Sequence, residues 1–393
     1  MSRQFTFIDA VSALIFMCFA HVSWAETPGA AFARLVGDGA AIADAGGRVE
    51  MTVPMSQPVP WRVHTLDNPP RLVVDFAELL WDAEPVLQSD SIIAVNVGPF
   101  RPGWSRAVVM LREPLMVDAA EMSVQSDGSA LLTMELIPTT AEAFRESAGD
   151  SASGEATAMA YTPPEPGLLR VALDPGHGGI DPGAEDGELR EADLMLAFAR
   201  ELKEALLRTG RFDVVMTRNS DDFVPLQERM TLARTARADV FLSLHADSLD
   251  ENAGVASGMT VYTLAEDATD AAAERLAERH AQNDILAGVD LAGIEDEISI
   301  VLMGLSRRET EPRSEALAKT LVSGFRSYEL SVNSNPYRQG GFTVLKAAEV
   351  PSVLIELGFL SNEQDRTLLL SEEWSVRAAQ AVRDGLLQWA DED

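Results

Sequence analysis

From Leu168 to the C-terminus, short apolar runs alternate with amphipathic stretches, and this alternation restricts the fold more than any other feature of the chain. LLRVALD reads as a buried strand, and FDVVMT, DVFLSL, GMTVYTL, FTVLK and SVLIE read as further strands. Residues 192–208 read as a helix, with Leu194, Phe198, Leu202 and Leu206 on or near one face. A second helix, 373–389, closes the chain. Strands separated by helical stretches predict an α/β domain, a mainly parallel sheet with helices on both faces.

The preceding part has a different character. Between 34 and 138, RVEMTVPM, WRVHTLD, PRLVVDF, IIAVNVG, RAVVMLRE and ALLTMELIP alternate in short segments broken by Gly, Pro, Asp and Ser, which predicts a small all-β domain. Its lone histidine, His64, fits a structural role on a strand. Residues 139–167, rich in Ala, Ser, Gly, Glu and Pro, read as a flexible linker that stiffens at its proline end. A length of 393 residues suits two or more domains.

Residues 1–25 read as an export signal. The run AVSALIFMCFA is too short to span a bilayer, and Ser23-Trp24-Ala25 supplies a small–x–small cleavage pattern before Glu26. The chain is expected to be exported, with no stable membrane insertion after cleavage. Cys18, the single cysteine, lies in this segment, so the mature chain has no disulfide and no thiolate metal ligand. A formal net charge of −31 argues against binding nucleic acid or docking electrostatically on anionic lipid.

Three groups follow strands directly. LLRVALD runs into Pro175-Gly176-His177-Gly178-Gly179, DVFLSL ends in His245, and SVLIE ends in Glu356. The carboxyl ends of strands in an open parallel sheet line one edge, where ligands bind, so these distant residues can meet there. Glu191, at the start of the long helix, falls close to the same edge. Two imidazoles and a carboxylate make an N/O donor set suited to Zn²⁺ with one position open, and a second carboxylate can then move a proton. Position alone leaves the blander reading open, in which the histidines are satisfied loop residues and the glutamate caps a helix.

VALDPGHGGIDPGA, LREADLMLAFARELKEAL, ADVFLSLHADS and VPSVLIELGFLSN, in that order, resemble the zinc-dependent N-acetylmuramoyl-L-alanine amidases of the amidase_3 family. The resemblance spans Leu168 to Trp389. It implies that His177, Glu191 and His245 bind Zn²⁺ and that Glu356 is the catalytic carboxylate. More loosely, PRLVVDF and VGPFRPGWSRAVVMLRE resemble the AMIN domain that precedes such catalytic domains in the AmiB/AmiC-type cell-separation amidases. The implied activity is hydrolysis of the amide bond between N-acetylmuramic acid and L-Ala of the peptidoglycan stem peptide, in septal wall splitting. Two alternatives stand beside it: another exported zinc peptidase acting on the stem peptide, and a non-enzymatic wall-binding protein.

About eighty residues separate GMTVYTL from FTVLK, far more than the 2–6 of a simple connection. Within this insertion, about 266–325, the stretches Ala271–Leu286, 297–305 and 314–325 read as helical. The AmiB/AmiC-type resemblance implies a regulatory helix that covers the zinc site until an activator with a LytM-type domain displaces it. AERHAQNDILAGVDL puts His280 where such a helix offers a metal ligand, with Glu278 two residues earlier. The blander alternative is a polar residue on a solvated helix face.

Overall fold

The computed structural model describes residues 32–77, 79–125, 127–148, 167–248, 256–265, 267–289, 297–347 and 349–392, without the side chains of 297–309. The expected export signal, 1–25, and most of the expected linker lie outside these residues. Among the described residues no helix is long and apolar enough to cross a membrane.

The N-terminal region is a two-sheet sandwich. A five-stranded sheet is ordered Leu115–Val124, Ala130–Pro138, Arg48–Met55, Ala41–Ala45, Val86–Gln88. A four-stranded antiparallel sheet is ordered Trp61–Leu66, Arg71–Ala77, Trp104–Leu111, Ile92–Arg101. Alternate residues of both sheets, among them Val49, Met51, Val53, Leu72, Val74 and Phe76, close the core between them. Leu115–Val124 escaped the sequence pattern because it is an edge strand, mostly open to solvent.

The start of the expected linker is structured. Thr140 Oγ1 accepts the Ala143 N–H at 3.2 Å, an N-cap, and the helix Ala141–Ala148 follows. Phe144, fully buried, anchors this helix on the sandwich core. Ser147 Oγ lies 3.2 Å from Thr65 Oγ1 and Arg145 pairs with Asp67 at 3.2 Å, so polar contacts join Phe144 in docking what composition alone marked as tether.

The second region is built on six strands: β1 (Leu169–Pro175), β2 (Phe212–Met216), β3 (Val240–His245), β4 (Met259–Leu264), β5 (Val332–Gly340) and β6 (Ser352–Glu356). They are ordered β2-β1-β3-β6-β4-β5. The first four run parallel, β4 is antiparallel to β6, and β5 is parallel to β4. Helices α1 (Glu191–Leu207), α4 (Glu297–Ser327) and α6 (Glu372–Glu392) cover one face. Helices α2 (Leu226–Thr235) and α3 (Ala271–Leu286) cover the other, and a short α5 (Glu363–Leu369) precedes α6. The fold is therefore α/β with a mainly parallel sheet and helices on both faces.

Two expectations are corrected. FTVLK is not a strand: Thr343–Leu345 form a 3₁₀ turn, and the edge strand is instead the polar VNSNPYRQG of β5. An edge strand buries little on its outer side, so its sequence lacks the apolar run that marks central strands. The stretches 297–305 and 314–325 are one helix, α4, which continues through Pro312. Packing of Leu317, Ala318, Leu321 and Phe325 against the sheet outweighs the cost of a proline inside the helix.

Candidate functional site

The parallel strands deliver their last residues to one edge. Pro175 of β1 is the register partner of Leu244 of β3, and His245 of β3 is that of Glu356 of β6. The turn after β1 carries His177 in the left-handed region, φ 59°, an unusual conformation for a residue with a side chain. Two buried arginines hold that turn by its carbonyls. Arg218 Nη2 donates to Gly176 O at 2.9 Å, and Arg229 Nη2 donates to His177 O at 2.8 Å. Arg229 also pairs with Asp174 at 2.8 Å. A side chain at Gly176 would place its Cβ 2.3 Å from the His245 ring, so only glycine lets the two motifs approach.

Three sequence-predicted residues converge. His245 Nδ1 lies 3.1 Å from His177 Nε2 and 3.1 Å from Glu191 Oε1, and His177 Nε2 lies 3.2 Å from the same Oε1. Glu191, the first residue of α1 and fully buried, is held by the Ala246 N–H on Oε1 and the Ala184 N–H on Oε2. Each imidazole has a second polar contact behind it. His177 Nδ1 faces Asp181 Oδ2 at 2.8 Å, and His245 Nε2 faces Ser243 Oγ at 3.2 Å. Ser243 Oγ in turn donates to Asp174. The sequence reasoning missed Asp181 and Ser243; the spacing of a carboxylate four residues after His177 was the available signal.

The remaining candidates close the site. Glu356 is fully buried; its Oε2 accepts the Asp247 N–H at 3.0 Å, and its Oε1 has no hydrogen-bond partner among the described residues. His280 projects from α3 with its ring stacked on His245, centroids 4.3 Å apart, and neither ring nitrogen has a hydrogen-bond partner there. Glu278, two residues earlier, points to solvent. Inward residues Ala273, Leu276, Ala277, His280 and Asp284 follow the helical period. Asn283 Nδ2 from the next turn stands 3.2 Å from His177 Nδ1.

Burial and neighbouring charges set the protonation preferences of the pocket. Burial pulls the His177 imidazole down, but the Asp181 and Glu191 carboxylates outweigh it and raise its pKa well above the usual value. Burial alone would raise Glu191, yet the two imidazoles hold it well below the carboxylate range. His245 is lowered to about 4, by burial first and then by His280. Glu356 is pushed well above its ordinary value by burial and by the charges of Glu191 and Asp247. One donor atom from each of His177, His245 and His280 lies within 4.8 Å of the others, a group that could hold a metal ion.

The fold is α/β, and these residues gather at the carboxyl edge of its sheet. The family described as N-acetylmuramoyl-L-alanine amidase matches residues 171–388, and the chain belongs to it. Among its relatives is the N-acetylmuramoyl-L-alanine amidase AmiC of Neisseria meningitidis serogroup B, 31% identical over 86% of this chain and 86% of that protein. AmiC of Escherichia coli O6:H1 is 29% identical over 87% of this chain and 86% of that protein. AmiA of Escherichia coli strain K12 is 33% identical, over 56% of this chain and 75% of that protein. A solved structure of the N-acetylmuramoyl-L-alanine amidase AmiC2 of Nostoc punctiforme covers 57% of this chain and 97% of its own, at 25% identity and a TM-score of 0.40.

Proposed function

We propose that this protein hydrolyses the amide bond between the lactyl group of N-acetylmuramic acid and L-Ala of the peptidoglycan stem peptide, in the periplasm and during septal wall splitting. The observation that carries the reading is the convergence of His177 Nε2, His245 Nδ1 and Glu191 Oε1 within 3.2 Å of one another. Three donors at those separations fit a small cation: tetrahedral zinc with ligands at about 2.0–2.1 Å has donor–donor edges of roughly 3.3 Å. The buried, unpartnered Glu356 Oε1 and His280 nitrogens fit the same site, since such atoms are costly without a partner. No thiolate competes, so the donor set favours Zn²⁺.

Zinc bound there supplies Lewis acidity, which polarises a carbonyl oxygen and acidifies water. Asp181 holds the His177 ring through Nδ1 and so presents Nε2 to the site. Ser243 does the same for His245 through Nε2, leaving Nδ1 inward. Glu356 Oε1 accepts the proton of the attacking water and returns it to the departing L-Ala nitrogen, while the Asp247 N–H fixes its other oxygen. A nearby dication would draw the Glu356 carboxyl back toward its charged form, as the base role requires. In the resting protein α3 lies over this edge, where His280 would serve as a further ligand to bound zinc until an activator with a LytM-type domain moves the helix. The N-terminal sandwich is read as an AMIN-type domain.

The deciding experiment measures zinc content and the products of digested sacculi. The expected products are whole stem peptides with free N-terminal L-Ala, and Glu356→Gln should retain zinc while losing most turnover. His177→Ala should lose zinc and turnover together. Release of D-Ala alone would point to a stem-peptide carboxypeptidase, and sacculi that bind without cleavage would point to a wall-binding protein.

A further inference from the structure

The strand Arg71–Ala77 is buried on both faces, although it belongs to a domain expected to stand apart. Leu72, Val74 and Phe76 face the sandwich core. With the two-residue period of a strand, Arg71, Val73 and Asp75 share the opposite face, and Val108 and Arg106 lie beside Val73 and Asp75 in register. Asn96 pairs with Val108 and completes the row.

This outer face receives the end of α3. The helix terminates in a glycine cap: Gly288 is left-handed, φ 71°, the Val289 N–H returns to Asp284 O, and the Gly288 N–H returns to Ile285 O. A helix end of this kind carries unsatisfied carbonyls and partial negative charge. All five carbonyls from 285 to 289 meet side-chain donors of the sandwich. Arg71 Nη1 donates to Ile285 O and Val289 O, each at 2.9 Å. Asn96 Nδ2 donates to Leu286 O at 3.1 Å. Arg106 Nη1 donates to Ala287 O at 3.4 Å and to Gly288 O at 3.1 Å, while its other nitrogens are fixed by Asp75. Beneath the arginines, Leu66, Val73 and Val108 form one apolar cluster with Ala287, Ile180 and Phe223. Ile180 comes three residues after His177.

We propose that the outer face of the N-terminal four-stranded sheet is a docking surface for the C-terminal end of α3, and that the sandwich thereby holds His280 over the site. The role of that hold in regulation rests on the reading that α3 closes the site at rest. The surface recognises backbone carbonyls at a helix end through the spacing of two guanidiniums, with Ala287 packed beneath them and Gly288 leaving room for Val73 and Val108. Freeing the site then requires breaking the Arg71 and Arg106 contacts as well as any contact of His280.

The test uses the full chain, with backbone hydrogen exchange over 271–289 and hydrolysis of purified peptidoglycan without activator. Arg71→Ala should speed exchange across 271–289 at least tenfold, leave exchange in 48–55 and 130–138 unchanged, and raise hydrolysis several-fold. Should Arg71→Ala loosen the sandwich itself, Gly288→Val decides: its Cβ would meet Val108 Cγ2 at 2.9 Å and Val73 Cγ2 at 3.0 Å, which blocks docking from the helix side. Unchanged exchange over 271–289 in Gly288→Val overturns the proposed surface. Faster exchange in Gly288→Val without faster hydrolysis there or in His280→Ala keeps the docking surface, overturns its regulatory role, and shows that α3 does not close the site. A gain of hydrolysis in His280→Ala with no gain in Gly288→Val keeps the closed site and overturns the sandwich as its holder.

Discussion

His280 lies almost flat on His245, with ring centroids 4.3 Å apart and planes 27° from parallel. The two residues come from different faces of the sheet architecture: one ends a central strand, the other sits in the middle of a helix inside a long insertion. Asp247 Oδ2, 3.6 Å from His280 Nε2, is too distant for a hydrogen bond. Among the described residues neither His280 ring nitrogen has a hydrogen-bond partner, and a buried polar group left without one is costly.

Removing that ring should open the site. His280→Ala is expected to raise hydrolysis of peptidoglycan without activator by tenfold or more, with zinc content unchanged, because His177, Glu191 and His245 remain. Activity equal to that of the parent protein would leave His280 with a packing role only.

Asp181 should act through His177 and not on substrate. Asp181→Asn is expected to weaken zinc binding by about 10–100-fold, the usual cost of losing a carboxylate behind a ligating imidazole. Turnover at saturating zinc should change little. Chelator competition gives the affinity; a fall in turnover with affinity intact would contradict the assignment.

Zinc uptake should be coupled to proton release. In the metal-free protein the carboxylates around His177 raise its pKa well above the ordinary value despite its burial, which favours the charged imidazole. Binding must displace that proton, and affinity should climb as pH rises toward the raised pKa. Calorimetry in two buffers of different ionisation enthalpy should report net proton release on zinc binding, from His177 and from the Glu356 carboxyl. Identical heats in both buffers would exclude His177 as a charged resting ligand.

Asp284 offers a stability test on α3 that needs no metal. Burial, only partly offset by the Leu226 N–H, raises its pKa from 3.8 to about 6. An acid raised on folding costs nothing below its unfolded pKa. Its penalty grows as pH rises from 3.8 to about 6 and is complete above that, at most roughly 3 kcal/mol for two units. Asp284→Asn keeps an acceptor for Leu226 and removes the charge. Denaturation curves should therefore show the variant gaining stability over the parent between pH 4 and 6, then a constant gap. Parallel curves across that range would show that Asp284 is not the source of the penalty.

Much of the site was legible because its information is local. A strand that ends in Pro-Gly-His-Gly-Gly, another that ends in His245 and a third that ends in Glu356 specify the same edge as soon as the strands are parallel. The period of α3 likewise turns His280 inward and Glu278 outward. Where local pattern was weak, the reading failed: β5 is polar because it is an edge, and FTVLK looks like a strand but turns after Gly340-Gly341.

What the sequence determined by itself was therefore the central strands, the sheet edge where they end and the chemical residues on it, since residue spacing encodes period and strand ends encode position. Only the tertiary structure decided what faces what. The alternation of Arg71, Val73 and Asp75 states that they share a face, but the carbonyls that Arg71 reaches, those of Ile285 and Val289, lie more than 200 residues away. Backbone carbonyls at a helix end are the same atoms in every residue type, so no side-chain pattern announces them. They become a binding target only when the folded chain sets the end of α3 against two fixed guanidiniums.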